Sequence, residues 1–101
     1  MNTTQKQALE RLIAIAKRDT GQCRRVANFL LSWWNSEACG GWGITDVWSL
    51  DRAIIEDIFV VLRLVEQEWA YPNSLGYEDD FQEILRQWRP RLLEGASEAE
   101  A

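Results

Sequence analysis

The sequence predicts an all-α fold, a compact single-domain bundle of four helices with a Trp/Gly-rich loop between helices two and three. Three observations predict it. Apolar residues recur at three-and-four spacing through four separate stretches. Helix caps and breakers stand between the stretches: Thr20-Gly21, Gly40-Gly41, Pro72 and Pro90. A chain of 101 residues, 47% hydrophobic and 27% charged, has the length and composition for one small core. The helical domain is placed at 1–93. Residues 94–101, "EGASEAEA", hold no apolar side chain larger than alanine and read as a disordered acidic tail.

The first helix is expected from about Gln5 to Arg18, with Thr4 as N-cap, Gln7 three residues on as in a capping box, and Leu9, Leu12, Ile13 and Ala16 as its apolar stripe. Gly21 suits the turn that ends it, and Thr20 can cap the second helix. That helix runs from about Gln22 to Asn35 and buries Val26, Ala27, Phe29 and Leu30, with Trp33 and Trp34 at its end. "NSEACGGWG" breaks it, because adjacent glycines disfavour helix and permit a tight reversal. The third begins between Thr45 and Ser49 and reaches about Glu68. Its apolar residues, including Leu50, Ile54, Ile55, Ile58, Phe59, Val61, Leu62 and Val65, cover more than half its circumference, so it is expected at the centre of the bundle. "YPNSLGY" is a loop. The fourth helix, about Glu78 to Trp88, carries Phe81, Ile84, Leu85 and Trp88 on one face, opens on three acids that favour its dipole, and stops before Pro90.

Four of the six tryptophans fall within residues 30–48. Neighbours on a helix point about 100° apart, so Trp33 and Trp34 cannot share one direction and one should be better buried. Trp42 and Trp48 are expected to fold the loop back over the bundle, each indole N–H finding a partner. The tryptophans therefore read as architecture; an isolated exposed one would instead mark a docking hot spot.

Histidine is absent, which removes Ser-His-Asp and Cys-His catalysis and leaves no Cys/His set for structural zinc. Cys23 and Cys39 read as packed thiols, Cys39 lacking a neighbour to activate it. No catalytic constellation, cofactor motif or metal set is found, and "EDDFQE" lacks calcium-loop spacing. No apolar run reaches the roughly 18–20 residues of a membrane span. "MNTTQKQALERL" lacks the apolar core of a signal peptide, so a cytoplasmic location is expected.

The net charge of −5 is unevenly placed. Residues 1–26 hold six basic and two acidic side chains, whereas residues 63–101 hold four and nine. This asymmetry defines two candidate surfaces. Tyr71, Tyr77, Asp79, Asp80 and Glu83 would form an acidic, aromatic face that docks on a basic protein surface. Lys17, Arg18, Arg24 and Arg25 crowd the corner between helices one and two, where an anion or nucleic acid would be met in a weak resemblance to a helix-turn-helix. The overall acidity makes nucleic acid the less favoured partner.

"ALERLIAIAKRDTGQCRRVANFLLSWWNSEACGGWGITDVWSLD" and "YPNSLGYEDDFQEILRQWRP" resemble a family of small bacterial proteins of unknown function carried on plasmids and integrative conjugative elements. The resemblance implies a mobile-element accessory protein and brings no catalytic residues. The expected function is thus a non-enzymatic protein-binding factor with a basic host or mobile-element protein as partner. Its sharpest form is an inhibitor of a host defence complex, anti-CRISPR-like in size and charge. The alternative is a nucleic-acid-binding regulator of transfer or expression that uses the basic corner.

Overall fold

Helix α1 (Thr3–Ala16) starts two residues earlier than expected. Its N-cap is Asn2, whose Oδ1 accepts from the Gln5 backbone N–H at 2.7 Å, while Gln5 Oε1 accepts from the Asn2 N–H at 3.0 Å. The capping-box logic holds with a different pair, because Gln5 has a further partner that Gln7 lacks. Its Nε2 donates to Gln67 Oε1 at 2.8 Å, and the buried amide is thereby satisfied across the bundle. The computed structural model describes residues 1–93, so the acidic tail read over 94–101 lies outside the described residues.

Thr20 caps α2 (Gly21–Cys39) as expected, its Oγ1 accepting from the Cys23 N–H at 3.3 Å. Gly21 does not close the first helix but opens the second; α1 ends at Lys17, whose N–H donates to the Ile13 carbonyl while the Arg18 N–H donates to that of Ile15. The expected end of helix two, Asn35, is a kink with φ −160° and ψ 88°. Asn35 Oδ1 then accepts from the Ala38 N–H and starts one last turn. Gly40, at φ 93°, takes the chain out of that turn in a conformation other residues resist.

A separate 3₁₀ segment, Ile44–Ser49, precedes α3, which spans Arg52–Glu68 and so begins later than expected. The Gln22 side chain holds the junction: its Oε1 accepts from the Asp51 N–H at 2.6 Å, and its Nε2 donates to Asp51 Oδ2 at 3.3 Å. A second 3₁₀ segment, Pro72–Leu75, leads to α4 (Glu78–Trp88). Every regular element among the described residues is helical, with no strand, and four of the helices are long.

The central helix is α1, not α3. It packs on α2, α3 and α4, and Ala8 and Ala16 on its buried face let neighbours approach closely. Arg11 pairs with Asp57 of α3 through two 2.9 Å bonds. On the other side, Trp88 Nε1 donates to the Ala16 carbonyl at 2.7 Å and Gln87 Nε2 to that of Arg18. α3 packs chiefly on α1 and buries only Ile54, Ile58, Val61 and Leu64. Ile55, Val60 and Val65 are half-buried against the core, whereas Phe59 and Leu62 stay exposed, which makes α3 a flank of the bundle. Phe81 anchors α4 in the core, with the rings of Trp33 and Trp34 meeting it edge-on at 6.0 and 5.9 Å.

Candidate functional site

The expected acidic face does not assemble as one surface. Tyr77 is 8% exposed, and its hydroxyl donates to Glu10 Oε2 at 2.8 Å. Burial first, and the Glu10 bond second, push that hydroxyl up to about 12. Asp80 and Glu83 are both spent on Lys17, whose Nζ lies 2.6 Å from Asp80 Oδ1 and 3.0 Å from Glu83 Oε2. The Asp80 bond raises the Lys17 pKa despite an opposing effect of burial. Asp79 is exposed on the first turn of α4, and Tyr71 is 61% exposed on the connection that leads to it.

The basic corner is thinned by the same contact. Lys17 turns towards α4, while Arg18 and Arg24 are exposed and Arg25 is half-buried. Arg24 and Arg25 line a small polar cleft with Gly21, Asn28 and Asp46, so a carboxylate shares the space where an anion would sit. The two candidate surfaces are therefore joined through Lys17 rather than independent.

Three of the tryptophans near residues 33–48 are structural. Trp33 and Trp34 are both half-buried, rather than one clearly better than the other, and Trp33 Nε1 donates to the Ala70 carbonyl at 3.1 Å. Trp42 stands edge-on to Phe29 at 4.9 Å, but its buried N–H has no partner among the described residues. Trp48 does not close the core: it is 83% exposed on the first 3₁₀ segment.

Sequence reasoning misses the feature that stands out most. Trp69 ends α3 in the left-handed region, φ 51° and ψ 40°, and is 91% exposed. It is the one non-glycine residue with positive φ among the described residues. Left-handed backbone costs an L-residue roughly 1–2 kcal/mol, and glycine is the usual occupant of such a helix end. Trp69, Tyr71, Trp33, Val65, Ala70 and Glu66 line one open concavity of about 480 Å³. Phe59, 63% exposed, and Leu62 extend the apolar surface back along α3. The signal present in the sequence is the width of the apolar arc on α3, which exceeds what one core-facing side can use.

No group of three or more Cys, Asp or Glu side chains among the described residues is placed to hold a metal ion. Cys39 is buried with its pKa raised by desolvation, against a smaller lowering by Arg89, and so is a poor nucleophile at neutral pH. No helix among the described residues is long and apolar enough to cross a membrane.

Residues 6–89 match a family described as a family of unknown function, DUF7673. The chain belongs to that family. The match takes in all of α2, α3 and α4 and most of α1, so the aromatic concavity lies within the region that defines DUF7673 membership. No curated protein and no solved structure gives a significant match to the chain.

Proposed function

We propose that this DUF7673 protein works by binding another protein and not by catalysis, with the Trp69–Tyr71 concavity as its contact surface. The observation that carries the reading is Trp69, a large aromatic kept in a costly backbone conformation with its indole bare to solvent. Strain persists where surrounding structure enforces it, often at ligand contacts, and exposed Trp and Tyr are the side chains most enriched among binding hot spots. Tyr71 supplies a second exposed ring, Glu66 a carboxylate at the lip, and the same connection runs on into the acidic first turn of α4 with Asp79. Such a surface suits a partner that offers an apolar anchor set among basic residues.

In the mobile-element setting implied by the family resemblance, the partner is a host or element-encoded protein, and inhibition of a host defence complex is the sharpest version of the role. Affinity capture from cells carrying the gene, after nuclease treatment, tests it. Trp69→Ala or Tyr71→Ala is expected to cost about 2 kcal/mol, or roughly 30-fold in affinity. Asp79→Lys is expected to slow association in a salt-dependent manner. Asp80 is left intact because its reversal would break the Lys17 contact. A partner retained equally by all three variants would contradict this surface. The nucleic-acid reading rests on exposed Arg18 and Arg24 beside Arg25. It requires DNA or RNA binding that falls steeply with salt, and a flat titration at low salt removes it.

A further inference from the structure

The uncovered side of α3 has an internal order. Arg52, Phe59 and Glu66 are spaced by seven residues, and so are Ile55, Leu62 and Trp69. Together they alternate by three and four along one side of the helix, the spacing of a coiled-coil seam. The buried residues Ile54, Ile58, Val61 and Leu64 occupy the adjoining face, centred roughly 120° round the helix. Arg52, Phe59, Leu62, Glu66 and Trp69 are all exposed, and Ile55 is half-buried. The seam runs about 25 Å along the helix axis from Arg52 to Trp69.

We propose that a second copy of this chain covers this seam, its α3 running antiparallel to the first about a two-fold axis between Phe59 and Leu62. The proposal rests on the reading of this face as a protein-contact surface and assigns its α3 side to a second copy, leaving Tyr71 and the start of α4 for the other partner. Charge selects both the occupant and the direction. The seam is basic at its start (Arg52), apolar in its middle (Ile55, Phe59, Leu62), and acidic and aromatic at its end (Glu66, Trp69). Antiparallel pairing sets Phe59 against the second copy's Leu62 twice over. It brings Arg52 to the second copy's Trp69, a cation–π pairing, and sets Ile55 against the second copy's Glu66, whose carboxylate reaches one layer along to Arg52. The flanking positions agree: Glu56 falls opposite the second copy's Arg63. Parallel pairing would instead set Arg52 on Arg52 and Glu66 on Glu66, bringing like charges together. A two-fold contact must be complementary to itself, and the apolar middle and the opposite charges of the two ends meet that requirement. Among the described residues Glu66 is held only by a loose, exposed contact of 3.5 Å from Arg63, and such a pair is readily exchanged.

Sedimentation of the purified full chain across a concentration series tests this without any other protein. The mass is expected to rise from 11.7 kDa to twice that value. Leu62→Glu, Arg52→Glu and Glu66→Arg are each expected to raise the dimer dissociation constant about tenfold or more. The combined Arg52→Glu, Glu66→Arg chain should recover part of the Arg52→Glu loss, because the swapped charges again lie one layer apart across the two-fold axis, while the cation–π pairing to Trp69 is not restored. Circular dichroism melts of each variant separate lost pairing from lost folding. A chain that stays monomeric throughout overturns the proposal, as does a double variant weaker than both singles. A monomer that still captures a partner through Tyr71 would overturn the dimer alone. A dimer that captures nothing would uphold the dimer and overturn the function proposed above.

Discussion

Trp69 sets the terms at the residue scale, because its position is worse for stability than an ordinary helix end would be. Its φ of 51° suits glycine, and its nearly bare indole gains little from packing. Trp69→Gly is therefore expected to raise the stability of the isolated chain, at concentrations too low for self-association, by about 0.5 kcal/mol, the relief of left-handed strain exceeding the entropy that glycine adds to the unfolded chain. Trp69→Ala keeps the strain and should give no such gain. Thermal unfolding of the two variants checks this. A Trp69→Gly chain that melts several degrees lower would show that the indole is packed and not presented. The position is not legible in the sequence: "QEWAYP" gives a helix end before Pro72, but nothing in it says that the tryptophan, rather than Ala70, takes the left-handed conformation.

At the scale of elements, α1 is held at both ends by side chains that the sequence identifies only in part. The cap lies on Asn2, so Asn2→Ala is expected to cost about 1 kcal/mol and Thr4→Ala close to nothing, as measured by denaturant unfolding. Both start sites fit the local capping pattern, and the choice between them depends on Gln67, which lies 62 positions from Gln5 in the chain. The docking of α4 on α1 through Tyr77–Glu10 and Lys17–Asp80 gives a pH signature. The Tyr77 hydroxyl is raised from 10.0 to about 12, so the folded chain holds that proton more tightly than the unfolded one. Its contribution is full below pH 10 and is lost as pH rises towards 12. Lys17, also raised, acts in the same direction. Stability should fall across this alkaline window, and Tyr77→Phe should flatten part of the fall. An unchanged profile in Tyr77→Phe would mean that the hydroxyl does not dock α4.

Across the whole molecule, the number and order of the long helices are readable from apolar spacing and punctuation, and the Asn35 break and the Thr20 cap fall where the local chemistry puts them. The identity of the central helix is not. α3 has the broader apolar arc, yet α1 takes the centre, with three neighbours packed on it. Periodicity reports how much apolar surface a helix has, whereas burial depends on which neighbours arrive to cover it. Spacing alone counts Phe59 and Leu62 as core for that reason, and their exposure leaves an apolar ridge that ends at Trp69 and Tyr71. Charge behaves alike: Lys17, Asp80 and Glu83 look like parts of two opposed surfaces in the sequence but pair with one another in the fold. The surface that remains is aromatic first and acidic second. The most direct test of its role is a side-by-side affinity capture, after nuclease treatment, of the wild-type chain, Tyr71→Ala, and an Arg24→Glu, Arg25→Glu chain. The expected result is one protein partner held by the wild-type and arginine-reversed chains and lost from Tyr71→Ala. A partner held by Tyr71→Ala but lost on arginine reversal, or nucleic acid recovered in its place, would contradict the account.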